Sequence, residues 1–239
     1  MGEIEGKTHE VLAWLESQGT PAAREGMARY AIPSDKAFGV PVGMLQAHAK
    51  RLGRDHALAL ALWQTGRYEA RMLATFVDEP ARVTAAQMER WCGEFDNWAI
   101  CDTVCFHLFD RTPHAWGKLA PWAGRGEEFV KRGAFALLWS LSVHDKQASD
   151  ERFAEGLALV ECEATDERHF VKKAVNMALR AVGKRNAALH AQALAVAQRL
   201  AASEPAAARW VGKDALRELN SASVVQRVQG SARKSSPER

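Results

Sequence analysis

With 239 residues, 47% of them hydrophobic and 26% charged, the chain has the composition of an ordinary soluble protein, long enough for one sizeable core or two small ones. No apolar run approaches the ~20 residues of a membrane span, and MGEIEGKTHEVLAW lacks the basic, apolar, small-residue order of a signal peptide; the expectation is a cytoplasmic protein, nucleoid-associated if bacterial, with no membrane partner. The net charge of +3 hides an asymmetry: Met1 to Thr165 carries 18 Lys/Arg against 23 Asp/Glu, Asp166 to Arg239 carries 14 against 6, and this balance predicts a polyanionic partner for the C-terminal third.

Valine and isoleucine are scattered and period-two alternation is absent, so no segment reads as a sheet. Helical segments follow one another from Pro41 onward about every 18 to 20 residues. Thr84 with Gln87 predicts a capping box before QMERWCGEF, Asp96 a cap for NWAICDTVCFHLF, and Thr112–Pro113 a further first turn. Later starts are expected near Ser149 or Asp150, Thr165 or Asp166, and Glu204 before Pro205, and Gly53, Gly66, Gly93, Gly124 and Gly183 suit helix ends. A helical pair recurring at roughly 40 residues is the period of HEAT-like repeats. The expected architecture is all-α: one α-solenoid domain over residues 1–229, built of HEAT-like antiparallel pairs with a concave basic face, and a disordered basic tail over 230–239. An irregular helical bundle is the alternative.

Three helices break their own pattern. In FDNWAICDTVC, a projection at ~100° per residue puts Trp98, Asp102, Cys105 and Phe109 on one stripe, with Ile100, Val104 and Leu108 on a second apolar face. Asp102 is the only charge on its stripe. Such a carboxylate needs a buried partner, a surface position or a chemical role. In EEFVKRGAFALLWSLSVHDK, Arg132 heads a row formed by Ala136, Trp139 and Val143, which suits either a functional guanidinium or a stem capping the core edge. In DERHFVKKAVNMALRAVGKRN, Lys172, Lys173, Arg180 and Lys184 share one arc opposite Phe170, Val171, Ala174, Ala178 and Val182, with Met177 at the boundary. Six basic residues from Arg168 to Arg185 without an acid among them favour phosphate binding over an ordinary solvated face. Arg209, Lys213 and Arg217 repeat the i,i+4 spacing and extend the track. Cys92, Cys101, Cys105 and Cys162 lack paired-ligand spacing and read as reduced thiols, so neither metal nor cofactor is expected.

FGVPVGML, RDHALALALWQTGRYEARMLA, QMERWCGEFDNWAICDTVC, FVKRGAFALL, FVKKAVNMALRAVGKRN and ARWVGKDALREL, in this order from about Tyr30 to Val228, resemble the DNA alkylation repair family of HEAT-like glycosylases. The resemblance implies a curved stack holding duplex DNA that contains alkylated bases, and a monofunctional hydrolase cutting the N-glycosidic bond of purines alkylated at N3 or N7. It puts the catalytic carboxylate at Asp102, a neighbouring aromatic at Trp98, an arginine at Arg132 and a DNA-facing aromatic at Tyr30. Two positions depart from the family pattern: Ala99 stands where an acid often follows the tryptophan, and Met177 where the basic helix usually carries a tryptophan.

A purine already cationic from alkylation leaves without general-acid help, so the enzyme need only stabilise the oxocarbenium sugar, and a carboxylate at Asp102 would do so. An indole at Trp98 adds a face for a cationic nucleotide. Two other readings use the same fold: a noncatalytic DNA-binding or damage-sensing protein, kept open by Met177, and a protein-interaction scaffold. A monomer is expected.

Overall fold

The computed structural model describes residues 2–234, and among them every regular element is helical. The chain divides into two compact units at Ala115/Trp116.

The first unit contains α1 (Glu3–Gln18), α2 (Pro21–Gly26), α3 (Val42–Leu52), α4 (His56–Gln64), α5 (Tyr68–Val77), α6 (Ala85–Gly93) and α7 (Trp98–His107), with 3₁₀ turns at Met27–Tyr30, Pro80–Arg82 and Phe109–Arg111. Helices α3, α5 and α7 lie side by side in one row, while α4 packs on α5 from a second row with α1. Their core is aromatic: Trp63 and Trp91 stack at 3.9 Å with planes 4° apart, and Phe95 and Phe109 complete the cluster. The buried indole of Trp63 satisfies its N–H on Glu94 at 2.8 Å, as a tryptophan in a core must.

One buried carboxylate organises the connection between α2 and α3. Glu69, with no exposed surface, accepts hydrogen bonds from the backbone amides of Phe38 (2.9 Å), Gly39 (2.6 Å) and Val40 (3.1 Å). Gly39 has φ +85°, and a Cβ there would stand 2.4 Å from the Thr20 carbonyl oxygen, so no other residue fits without moving the chain. The Gly39 carbonyl in turn accepts from Thr20 N–H, and the Lys36 carbonyl from Tyr68 N–H. The segment is a loop by dihedral angle but is pinned at both faces.

The second unit contains α8 (Leu119–Ala123), α9 (Glu128–His144), α10 (Asp150–Glu163), α11 (His169–Val182), α12 (Ala187–Ala202), α13 (Ala206–Leu219) and α14 (Ala222–Lys234). Two rows form: α9, α11 and α13 neighbour one another in order, as do α8, α10, α12 and α14. Short connections make α8/α9, α10/α11 and α12/α13 antiparallel pairs, the repeat expected from the 40-residue period. The tightest approach is at Gly212, where a Cβ would lie 2.2 Å from the Ala201 backbone nitrogen, so α13 rests directly on the backbone of α12.

Local signals were displaced in places. Asn97, not Asp96, caps α7, its side chain accepting from Ile100 N–H at 3.0 Å, while Asp96 accepts from the Asn97 amide. Thr84 caps α6 as expected, but Gln87 turns its side chain to the buried Asp78 instead of closing a capping box. Thr112–Pro113 forms a turn and starts no helix. Helix α11 begins three residues beyond Asp166, whose carboxylate receives the Arg168 guanidinium and N–H. Helix α14 continues to Lys234, so the tail expected from residue 230 starts helical; residues 235–239 lie outside the described residues.

Candidate functional site

In the first unit the candidate residues gather at the start of α7. Asn97 sets the helix start, which makes Trp98 its first residue and puts Asp102 one turn later on the same face. The Trp98 indole N–H donates to the Tyr30 carbonyl at 2.7 Å, joining positions 68 residues apart in sequence. Tyr30 itself is 66% exposed, at the end of the 3₁₀ turn and just before Ala31, which takes the left-handed conformation with φ 53°. Trp98 and Asp102 are half-buried, whereas Cys105 and Phe109, farther along the stripe, are fully buried, as are Ile100, Val104 and Leu108. The stripe therefore runs from solvent into the core, and Asp102 stands at its wet end. Burial pushes the Cys105 thiol well up, with the Cys101 and Cys92 thiols and the Asp102 carboxylate adding to it. Cys92, Cys101 and Cys105 are buried, whereas Cys162 is exposed.

In the second unit Arg132 is 4% exposed and donates from its guanidinium to the Phe170 carbonyl at 2.7 Å, at the start of α11. Helix α11 buries Val171, Ala174, Val175, Ala178, Leu179 and Val182 and turns its basic arc toward α13 and solvent. Here the structure adds what spacing within one helix does not contain. Glu218 of α13 receives Arg180 and, at 2.6 Å, Lys184, while Asp214 takes the buried Asn176 amide at 2.7 Å and the Arg217 guanidinium. Burial works against ionisation of Glu218, but the Lys184 hydrogen bond and the Arg180 charge outweigh it and hold the carboxyl below its usual range.

The basic arc is thus divided. Arg180, Lys184 and Arg217 have protein carboxylates as partners, and Arg209 turns back to the Ser203 (3.2 Å) and Glu204 (2.6 Å) carbonyls in the α12–α13 connection. Lys173 and Lys213 are exposed and, among the described residues, make no ion pair. Lys172 lies over the ring of Trp210 at 5.2 Å, a cation–π contact. Trp210, 40% exposed, is the residue that the sequence reading missed. Its signal was present: at i+3 and i+7 from it, Lys213 and Arg217 share its face, whereas Arg209 lies ~100° away.

A family model for DNA alkylation repair enzymes matches residues 11–219. The chain belongs to that family. A solved structure described as one of "a new family of proteins related to the HEAT-like repeat DNA glycosylases with affinity for branched DNA structures" is 20% identical to it, with a TM-score of 0.73 over 88% of this chain and 94% of that one. No curated protein sequence matches the chain. In this DNA alkylation repair family member, Met177 is half-buried on α11, and the exposed indole of this region is carried by α13 at Trp210.

Proposed function

We propose that the protein is a DNA glycosylase that hydrolyses the N-glycosidic bond of cationic N3- or N7-alkylated purines in duplex DNA. The observation that carries this reading is the half-buried Asp102 one turn after Trp98, at the solvent end of an otherwise buried stripe, in a chain that belongs to the DNA alkylation repair family. In the proposed chemistry Asp102 is ionised, lies near the anomeric carbon, stabilises the sugar as positive charge develops there and orients the attacking water. Trp98 offers its ring to the deoxyribose and the cationic base, held in place by the Tyr30 carbonyl. Tyr30 contacts DNA from the same unit. Arg132 is the family's arginine; its burial and its bond to Phe170 support a fixed orientation at the start of α11. The leaving base needs no protonation and no cofactor. The test is incubation with methylated duplex followed by chromatography of the soluble fraction: free 3- or 7-methylpurine is expected, and intact bases after prolonged incubation at excess protein would sink the reading.

Backbone binding is assigned to the α11–α13 face, with Lys172, Lys173, Met177, Arg180, Lys184, Arg209, Lys213 and Arg217 as its residues. Its strength should be uneven. Lys173 and Lys213 offer uncommitted charge, whereas Arg180 and Lys184 must exchange Glu218 for phosphate. Lys173→Glu with Lys213→Glu is therefore expected to weaken duplex binding irrespective of sequence and to lower the salt slope by about two units. Lys184→Gln should change the slope by clearly less than one unit. Equal effects per charge, measured by anisotropy titration across salt concentrations, would show that the Glu218 pairing carries no weight.

A second reading, noncatalytic binding of DNA, is favoured by Met177 at the position of the family's second tryptophan, and by the affinity for branched DNA in the description of the structural neighbour. The base-release experiment separates the two.

A further inference from the structure

The second unit contains a cleft of about 550 Å³ between the last turn of α9, the end of α11 and α14, which shares Lys184 with the α11–α13 face and is not lined by Lys173 or Lys213. Its side-chain cations are Lys146, Lys184, Arg185 and Arg227, it has no carboxylate in its lining, and its apolar wall is made by Trp139 with the 40%-exposed Val143. Lys146, in the α9–α10 connection, and Arg227, on α14, are both exposed. Arg185 is fixed: its guanidinium donates to the Ser142 and Asp145 carbonyls at 2.9 Å each and lies over the Phe153 ring at 4.0 Å, while its Nε is buried without a partner. The nearby acids stand outside the lining, and two of them, Asp145 and Asp150, act on the Arg185 charge. Glu218 holds Lys184 from α13, Asp150 takes the Asn186 amide, and Asp145 takes the Trp116 indole and two backbone amides.

We infer that this cleft binds one unpaired nucleotide of a nucleic-acid strand, its phosphate among Lys146, Arg185 and Arg227 and its base against Trp139. Cations set beside an aromatic wall are the arrangement that holds single strands: charge follows the backbone, and a ring accepts any base on its π-face. The volume falls in the range of pockets that enclose a small ligand and is far too small for a duplex, whose paired bases cannot reach a recessed indole. A strand end or an unpaired stretch next to a duplex fits both conditions. The inference rests on the DNA-binding part of the proposed function and not on its catalytic part.

The experiment compares two fluorescein-labelled DNAs on the full-length chain by anisotropy: a duplex carrying a six-nucleotide thymidine tail, and a blunt duplex with the same number of phosphates. The tailed DNA is expected to bind about tenfold more tightly, the order of effect of one base–aromatic contact. Lys146→Glu with Arg227→Glu should erase that advantage and leave blunt-duplex affinity within about twofold. Trp139→Leu, which keeps the cations, should reduce the advantage severalfold, each variant being checked for an unchanged melting curve. Equal affinity of the parent chain for the two DNAs overturns the inference, as does a parallel loss of blunt and tailed binding in the charge-reversed variant. Thymidine monophosphate binding more tightly than the tailed duplex also overturns it, by assigning the cleft to a free nucleotide. Absence of binding to either DNA would overturn the DNA-binding reading as well.

Discussion

Asp102→Asn is expected to reduce release of free alkylpurine by ~10² or more, because the substitution keeps the shape of the side chain and removes the charge that a developing oxocarbenium ion would feel. Duplex affinity and melting temperature should stay close to those of the parent chain, since an interaction made mainly in the transition state contributes little to folding or ground-state binding. The half-exposed position of Asp102 favours this separation: an asparagine at the wet end of the stripe can still be solvated. Single-turnover excision on methylated duplex and a thermal melt of the same preparation decide it. Parent-level excision, or a large fall in melting temperature that accounts for the lost activity, removes Asp102 from the proposed chemistry. Arg132 is a poorer probe, because its guanidinium is buried and satisfies the Phe170 carbonyl, so truncation there disturbs packing together with any contact to DNA.

The largest expected effect on stability is at Glu69. Glu69→Ala leaves three amides without their acceptor, those of Gly39 and Val40 buried and that of Phe38 part-buried. Each unsatisfied buried donor costs ~1–3 kcal/mol, and relaxation of the loop recovers part of the sum, so a loss of about 3–5 kcal/mol is expected. For a chain of this size that is a fall in melting temperature on the order of 10 °C. Glu69→Gln should recover only part of the loss, since its amide keeps one acceptor oxygen and points N–H groups at donors. Hydrogen exchange gives the local readout: protection of those three amides should disappear in Glu69→Ala while α9 and α11 keep theirs. A change below ~1 kcal/mol would mean that water replaces the carboxylate at little cost.

The sequence reading was sound where a property is local and periodic. The period of 3.6 residues per turn sets Trp98, Asp102 and Cys105 on one face of α7 and Ile100 and Val104 on another, whereas the step from half-buried Asp102 to buried Cys105 follows position along the helix and not the period. The choice between Asp96 and Asn97 as cap turned on one residue, and both types cap well, so composition alone was ambiguous. Glu69 drew no notice within RYEARMLA because its burial is decided by a loop some thirty residues earlier that folds over it. The same limit hid the neutralisation of Arg180 and Lys184. No acid stands near them in their own helix, and the one they share is delivered by α13, more than thirty residues later. Trp210 is legible from spacing alone, since it shares its face of α13 with Lys213 and Arg217.

The connection that carries Tyr30 into α3 has its backbone amides tied to Glu69, its glycine seated against Thr20, and the Tyr30 carbonyl tied to Trp98. A segment of about ten residues that ordered only on meeting a ligand would lose ~1–2 kcal/mol of conformational entropy per residue at that moment. Here that loss is incurred during folding. What is left for the phenol to surrender on contact is the freedom of one side chain, ~0.5–1.5 kcal/mol. In the proposed contact between Tyr30 and DNA, an exposed aromatic on so fixed a mount would meet its partner at nearly the full strength of the contact, with the geometry set before the two molecules collide.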